Sequence, residues 1–225
     1  MDQTIQHPIP AVYAVDPEHA GVRLSIVVIF VVVWALIFAL LNVLIRNDGI
    51  NLLALGISFI ITALATQQIE KWLKVRWPSG RVVQIDRDHI QIARKSKVQH
   101  DIDPGQQVNV LMWRFKISRR SRVPKGWYML ACALEQNEEY VPVYTFMSPS
   151  DFDKLDLSQH FTMLQSRKEL ERDKRENMRL AGAQRRLHAA EQVRWMDGAE
   201  MKTDDFKQFI VQLQEQFPQW MPAVI

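Results

Sequence analysis

The sequence predicts a membrane-anchored α+β protein: a transmembrane helical hairpin near the N-terminus, a small antiparallel β domain, then a long charged C-terminal helix. Three observations carry this reading. An uncharged apolar run fills the chain between Arg23 and Arg46, and a second follows after four turn-forming residues. Beyond residue 75 apolar and polar residues alternate in twos, as in strands. Beyond residue 165 apolar residues thin out into a tract of good helix formers.

The first run, LSIVVIFVVVWALIFALLNVLI, holds no ionisable side chain. A helix needs about 20 apolar residues to cross a hydrocarbon layer ~30 Å thick. The run meets that length and lacks the polar stripe of a soluble amphipathic helix. It is longer than the apolar core of a signal peptide, and the tail before it is acidic and proline-bearing. The second run, INLLALGISFIITALAT, continues through Gln67, Gln68 and Ile69 before Glu70 and Lys71. The cluster RNDG, residues 46–49, is too short to let the spans be anything but antiparallel neighbours. Spans are therefore expected at 22–45 and 50–69, between a tail (1–21) and a β domain (75–164); a buried soluble helix is the alternative for the second.

Lys71, Lys74, Arg76 and Arg81 follow the second span, whereas the loop offers only Arg46, offset by Asp48. The positive-inside rule then puts both termini in the cytoplasm of a two-span plasma-membrane protein, with Trp72 and Trp77 at the inner interface. Ala54, Ser58, Thr62 and Thr66 recur every four residues on one face of the second span, and Ala35 and Ala39 do so on the first. Small faces let helix backbones approach closely. Packing within the hairpin is expected of them, contact with another protein being the rival. Neither span contains His, Asp, Glu, Lys or Arg, which argues against an ion path or a histidine-held pigment. Trp34 and Asn42 are expected to make an interhelical hydrogen bond.

RVVQIDRDHIQIAR alternates around a turn at Asp86–Asp88, with Val83, Ile85, Ile90 and Ile92 inward. VNVLMWRFKI, GWYMLACALE and EYVPVYTFM are further β-rich runs, the last with Pro142 in need of an edge or bulge. SPSDFDKLDLSQHFTML then reads as a closing helix, with Ser148 as N-cap and Pro149 at its first position. This order resembles the bacterial pleckstrin-homology-like (PH-like) domains, some of which carry paired transmembrane helices directly before the sheet domain. The uncharged spans, the opening WPSGRVVQIDRDHIQI and the helix start SPSDFDKL carry the resemblance, across residues 24–164. It implies a bent β-sandwich or barrel closed by a helix, a membrane-associated or scaffolding role, and no catalytic residues.

Between two expected strands, Arg114, Lys116, Arg119, Arg120, Arg122 and Lys125 form a basic loop. Facing the inner leaflet, it could bind anionic lipid headgroups at ~1 kcal/mol per cation, screened by salt; a solvated loop is the plainer alternative. Trp113 and Phe115 read as strand residues, not as a platform for stacking bases, so no nucleic-acid partner is expected. The tract 165–195 holds no strict heptad and reads as a long exposed helix, with a weak coiled coil or disorder as alternatives. After Gly198, TDDFKQFIVQLQEQF forms an amphipathic helix capped by Thr203, with Phe206, Phe209, Ile210, Leu213 and Phe217 on one face. So short a helix needs something to cover that stripe: the sheet domain, a partner (another protein or a second copy), or the membrane.

No catalytic constellation stands out. The six histidines have no ligand spacing, and Cys132 sits mid-strand among apolar residues as an inert thiol. The expected roles are a non-catalytic scaffold or accessory subunit, or a module reading anionic lipid, with no cofactor and no metal.

Overall fold

A computed structural model describes residues 11–45, 51–119, 122–165 and 178–222, with backbone alone at 178–181. The loop expected at 46–49, the expected span start at 50, Arg120 and the charged stretch 166–177 lie outside the described residues. The chain divides into two compact units, Asp16–Ser79 and a second built from Met1–Val15 with Gly80–Ile225.

The first unit is a pair of helices, α1 (Ala20–Leu44) and α2 (Leu52–Arg76), both long and apolar enough to cross a membrane. His19 caps α1 by accepting from the Val22 amide, and Asn51 caps α2 by accepting from the Leu53 and Ala54 amides at 3.0 and 3.2 Å. On α2 the buried residues are Ala54, Ser58, Thr62 and Thr66. On α1 the half-buried residues are large, among them Phe30, Val33, Trp34 and Ile37, while Ala35 and Ala39 are exposed. The helices thus pack large on small, with Phe30 edge-on to Phe59 at 5.6 Å. That corrects the expectation for Ala35 and Ala39: one small face already provides the close approach. A second correction concerns Trp34 and Asn42, whose Nε1 and Oδ1 atoms have no hydrogen-bond partner among the described residues; Trp34 instead stacks on Phe38. At the charged end, Lys74 donates to Glu18 and Glu70, each at 2.7 Å, and His19 lies edge-on to Trp77.

The second unit holds two sheets. One has strands in the order β1 (Ala11–Ala14), β2 (Arg81–Ile85), β3 (Ile90–Arg94) and β4 (Lys97–Ile102), all antiparallel neighbours. The other runs β8 (Thr162–Met163), β5 (Asn109–Lys116), β6 (Tyr128–Gln136), β7 (Glu139–Met147) and β9 (Ala199–Glu200). Two-residue turns join β3 to β4 and β6 to β7: Lys95, Ser96, Asn137 and Glu138 all have positive φ, as type I′ hairpins require. Pro142 fits because β9 pairs with β7 only from Val143 onward, leaving its missing N–H without consequence.

β1 was not expected. Residues read as tail pair with β2 in register from Ala11↔Ile85 to Ala14↔Val82, and the Val15 amide continues the ladder to the Arg81 carbonyl at 3.1 Å. The helical hairpin is therefore inserted, in sequence, between two neighbouring strands of one sheet.

The expected closing helix is also corrected. Only Pro149–Phe152 is α-helical (α3), followed by a 3₁₀ turn at Ser158–His160 and then β8. Phe152, Leu155, Leu157 and Phe161 still enter the core, from an irregular segment. Closure comes from the C-terminus. Helix α5 (Thr203–Gln216) puts Phe206, Phe209, Ile210 and Leu213 into a core shared with the inner faces of both sheets. Its N-cap is Lys202 rather than Thr203, whose hydroxyl donates to the Phe146 carbonyl. Helix α4 (Met178–Asp197) packs Leu187 and Ala190 on the opposite face of the second sheet, against Trp113, Met129, Ala131 and Ala133. Along its described length it is a covering helix, not an exposed arm, and no domain boundary falls at 164. With both faces covered, β6 is buried almost continuously and reads as a run, not an alternation.

Arg81 pins these parts together. It is 8% exposed and donates to the Gln99 side chain, to the Asp197 carboxylate and carbonyl, and to the Gly198 carbonyl. His100 Nε2 lies 2.7 Å from the other Asp197 oxygen. Arg81→Met should cost roughly 2–3 kcal/mol in denaturant unfolding of the detergent-solubilised chain, since the Asp197 carboxylate and three neutral acceptors lose a charged donor. Arg87→Met, on an exposed turn, should change stability by less than about 0.5 kcal/mol.

Candidate functional site

The connection from β5 to β6 is the most basic surface segment and the site to assess first. Ile117 and Trp127 close it, the Ile117 amide donating to the Trp127 carbonyl at 2.7 Å and the Gly126 amide to the Ile117 carbonyl at 2.9 Å. Gly126 sits at φ +94°, a conformation open to glycine and strained for other residues. Val123 turns inward and is buried, so the loop folds back on the domain.

The basic residues fall into two sets. Arg122 is paired with Glu200 of β9 and lies over the Phe146 ring at 5.0 Å. Glu200 also accepts from the Tyr144 hydroxyl at 3.2 Å; burial first, then that carboxylate, pushes the Tyr144 phenol up to about 12. Arg194 of α4 covers the Tyr144 ring at 4.7 Å and is held by Glu191, which also accepts from the Trp113 indole at 2.9 Å. Arg122 thus belongs to a polar and aromatic network on the second sheet.

Lys116, Arg119 and Lys125 are exposed, with no carboxylate partner among the described residues. Arg114 is half-buried at the end of β5. Its guanidinium lies 4.4 Å from the Phe152 ring centroid and 5.1 Å from that of Tyr128, and its Nε has no hydrogen-bond partner among the described residues. The structure therefore brings Arg114, Lys116, Arg119 and Lys125 to one end of the domain as charge uncompensated among the described residues.

Phe206, Phe209, Ile210 and Leu213 are fully buried and Phe217 nearly so, stacked on Trp220 at 4.0 Å between centroids. The partner-docking role expected of them is corrected to a core role, because the chain's own sheets fill that face. Tyr13 of β1 completes the seat, edge-on to Phe209 and donating to the Gln212 side chain at 2.7 Å. The domain's large exposed apolar residues instead include Trp195 and Met196 on α4, 80% and 78% exposed, beside an open groove of about 430 Å³ with His188 and Gln192. Sequence reasoning passed over them, though adjacent Trp and Met in a polar helix were the available signal.

Three histidines engage locally: His89 with Asp101, His100 with Asp197, His160 with the Pro222 carbonyl. Cys132 is buried and desolvation pushes its thiol up to about 12. Among the described residues no group of three or more His, Cys, Asp or Glu side chains could hold a metal ion. No protein-family model, curated protein or solved structure matches the chain.

Two outcomes follow from this geometry. Arg122→Glu would face Glu200 and should lower stability by about 2 kcal/mol, as a loss of charged hydrogen bonding, whereas Lys125→Glu should be close to neutral in the same thermal melt. Cys132 should stay unlabelled by a maleimide at pH 8 in the folded chain and label fully in denaturant; fast labelling under native conditions would contradict a buried, protonated thiol.

Proposed function

We propose that the protein is a membrane-tethered, non-catalytic scaffold that holds a PH-like β domain at the cytoplasmic face for a protein partner. The carrying observation is the surface of the helical pair. Leu24, Val28, Val31, Leu36 and Leu40 on α1, and Leu53, Phe59, Ile60 and Leu64 on α2, are exposed large apolar side chains. Apolar surface on that scale in water is unfavourable at about 25 cal/mol per Å², and a bilayer removes the cost. The β1–β2 pairing supports a same-side arrangement of the hairpin's ends, and Lys71 and Arg76 beside Trp72 and Trp77 support the cytoplasm as that side. Trp195 and Met196 are the apolar side chains we assign to the partner, in place of the α5 face. Helix-closed sheets agree with the PH-like reading at the level of architecture, while the closing helix comes from residues 203–216.

The second reading, a module sensing anionic headgroups, draws on the uncompensated Arg114, Lys116, Arg119 and Lys125.

The anchor is tested by alkaline carbonate washing of membranes: the chain should stay in the pellet, and its release intact would remove the proposal. For sidedness, a membrane-impermeant maleimide should label Lys116→Cys only after the cytoplasmic side is opened. For the scaffold, Trp195→Ala with Met196→Ala should strip co-purifying proteins in mild detergent. The same proteins remaining bound would show that this surface is not the docking face.

A further inference from the structure

Arg114 and Lys116 stand two residues apart on β5 and so share one face of the strand. Tyr128 is the direct cross-strand partner of Lys116, and its ring also lies under the Arg114 guanidinium. Phe152, itself buried, covers that guanidinium from α3. Two rings thus fix the plane of a fork-shaped donor before any ligand arrives, which removes much of the rotamer entropy that binding costs. The stem of Lys116 passes over Gly126, where no side chain intervenes.

Among the described residues these donors have no acceptor. Arg114 Nε is unpartnered, and neither the Lys116 ammonium nor the Tyr128 hydroxyl has a hydrogen-bond partner among the described residues. Asp151, beside Phe152, accepts from the Ser148 hydroxyl at 2.6 Å and forms no ion pair with Arg114. Arg122, by contrast, is balanced by Glu200.

We infer that Arg114, Lys116 and Tyr128 form a built anion site for a phosphate group, at the strand end rather than along the loop. A planar guanidinium, a point cation and a hydroxyl supply more donors than one carboxylate takes up, and a tetrahedral phosphate uses all three. The inference rests on the headgroup reading for its setting and names the residues that do the reading. The phosphate can come from a lipid headgroup or from a soluble phosphate compound.

The test uses the full chain in nanodiscs of phosphatidylcholine alone, titrated with inorganic phosphate followed by ³¹P line broadening. Lys116→Met and Arg114→Lys should each weaken binding about tenfold, a difference of one unit in the logarithm of Kd. Arg114→Lys keeps the charge but loses the ring-held fork, and Lys125→Met, in the loop, should bind like wild type. Repeating the titration in nanodiscs with phosphatidylglycerol separates the sources: loss of phosphate binding identifies the headgroup as occupant, and undiminished binding identifies a soluble phosphate. Anionic-lipid or phosphate binding unchanged in both Lys116→Met and Arg114→Lys would overturn the site while leaving a loop-based headgroup reading standing. Absence of any binding by the wild-type chain would overturn both.

Discussion

The pairing of Ala11–Ala14 with Arg81–Ile85 is the constraint on which the rest of the structure depends. It joins residues before the first apolar helix to residues after the second, within one antiparallel ladder. The hairpin's two ends must then leave from neighbouring strands. In a bilayer, an even number of crossings is the arrangement compatible with that ladder, because a strand cannot pair through ~30 Å of hydrocarbon. The sheet and the number of spans are thus one requirement seen from two sides.

Burial at the C-terminal end follows a similar logic. A small domain has too little surface to bury on its own, and every apolar face it owns is under pressure to be used. Helix α5 covers the mouth between the sheets, α4 covers the outer face of the second sheet, and β9 adds to the edge of β7. Arg81 and Gln184 then satisfy backbone carbonyls where elements end: Arg81 those of Asp197 and Gly198 at the end of α4, Gln184 that of Met163 on β8.

Much of this was legible in the sequence, and the exceptions have physical causes. The two apolar helices show in composition alone, β2 and β3 in period-two alternation around a turn, and β5, β6 and β7 as β-rich runs. β4 was hidden because Lys97–Ile102 is an edge strand with most residues exposed, so it needs no apolar alternation. β1 was hidden because four residues carry too little pattern, and their partner lies beyond the hairpin. The stripe on Thr203–Gln216 was visible, but periodicity says that a face is buried and not by what. In the basic segment, charge was legible residue by residue; which cations are spent depended on Glu200, a partner far away in sequence. The ring pair holding Arg114 likewise joins β6 and α3 to β5.

The ladder across the hairpin can be measured directly in membranes. Because the Val15 amide bonds to the Arg81 carbonyl, alternation makes Val12 and Gln84 a non-hydrogen-bonded pair. Such pairs bring Cα atoms to about 4.5 Å, within the range a disulfide spans. Val12→Cys with Gln84→Cys should therefore oxidise readily within a single chain, with Cys132 left free, and mass spectrometry should recover the two peptides joined. Failure to form that bond, or its formation only between chains, would contradict a ladder that joins residues on either side of the inserted helices.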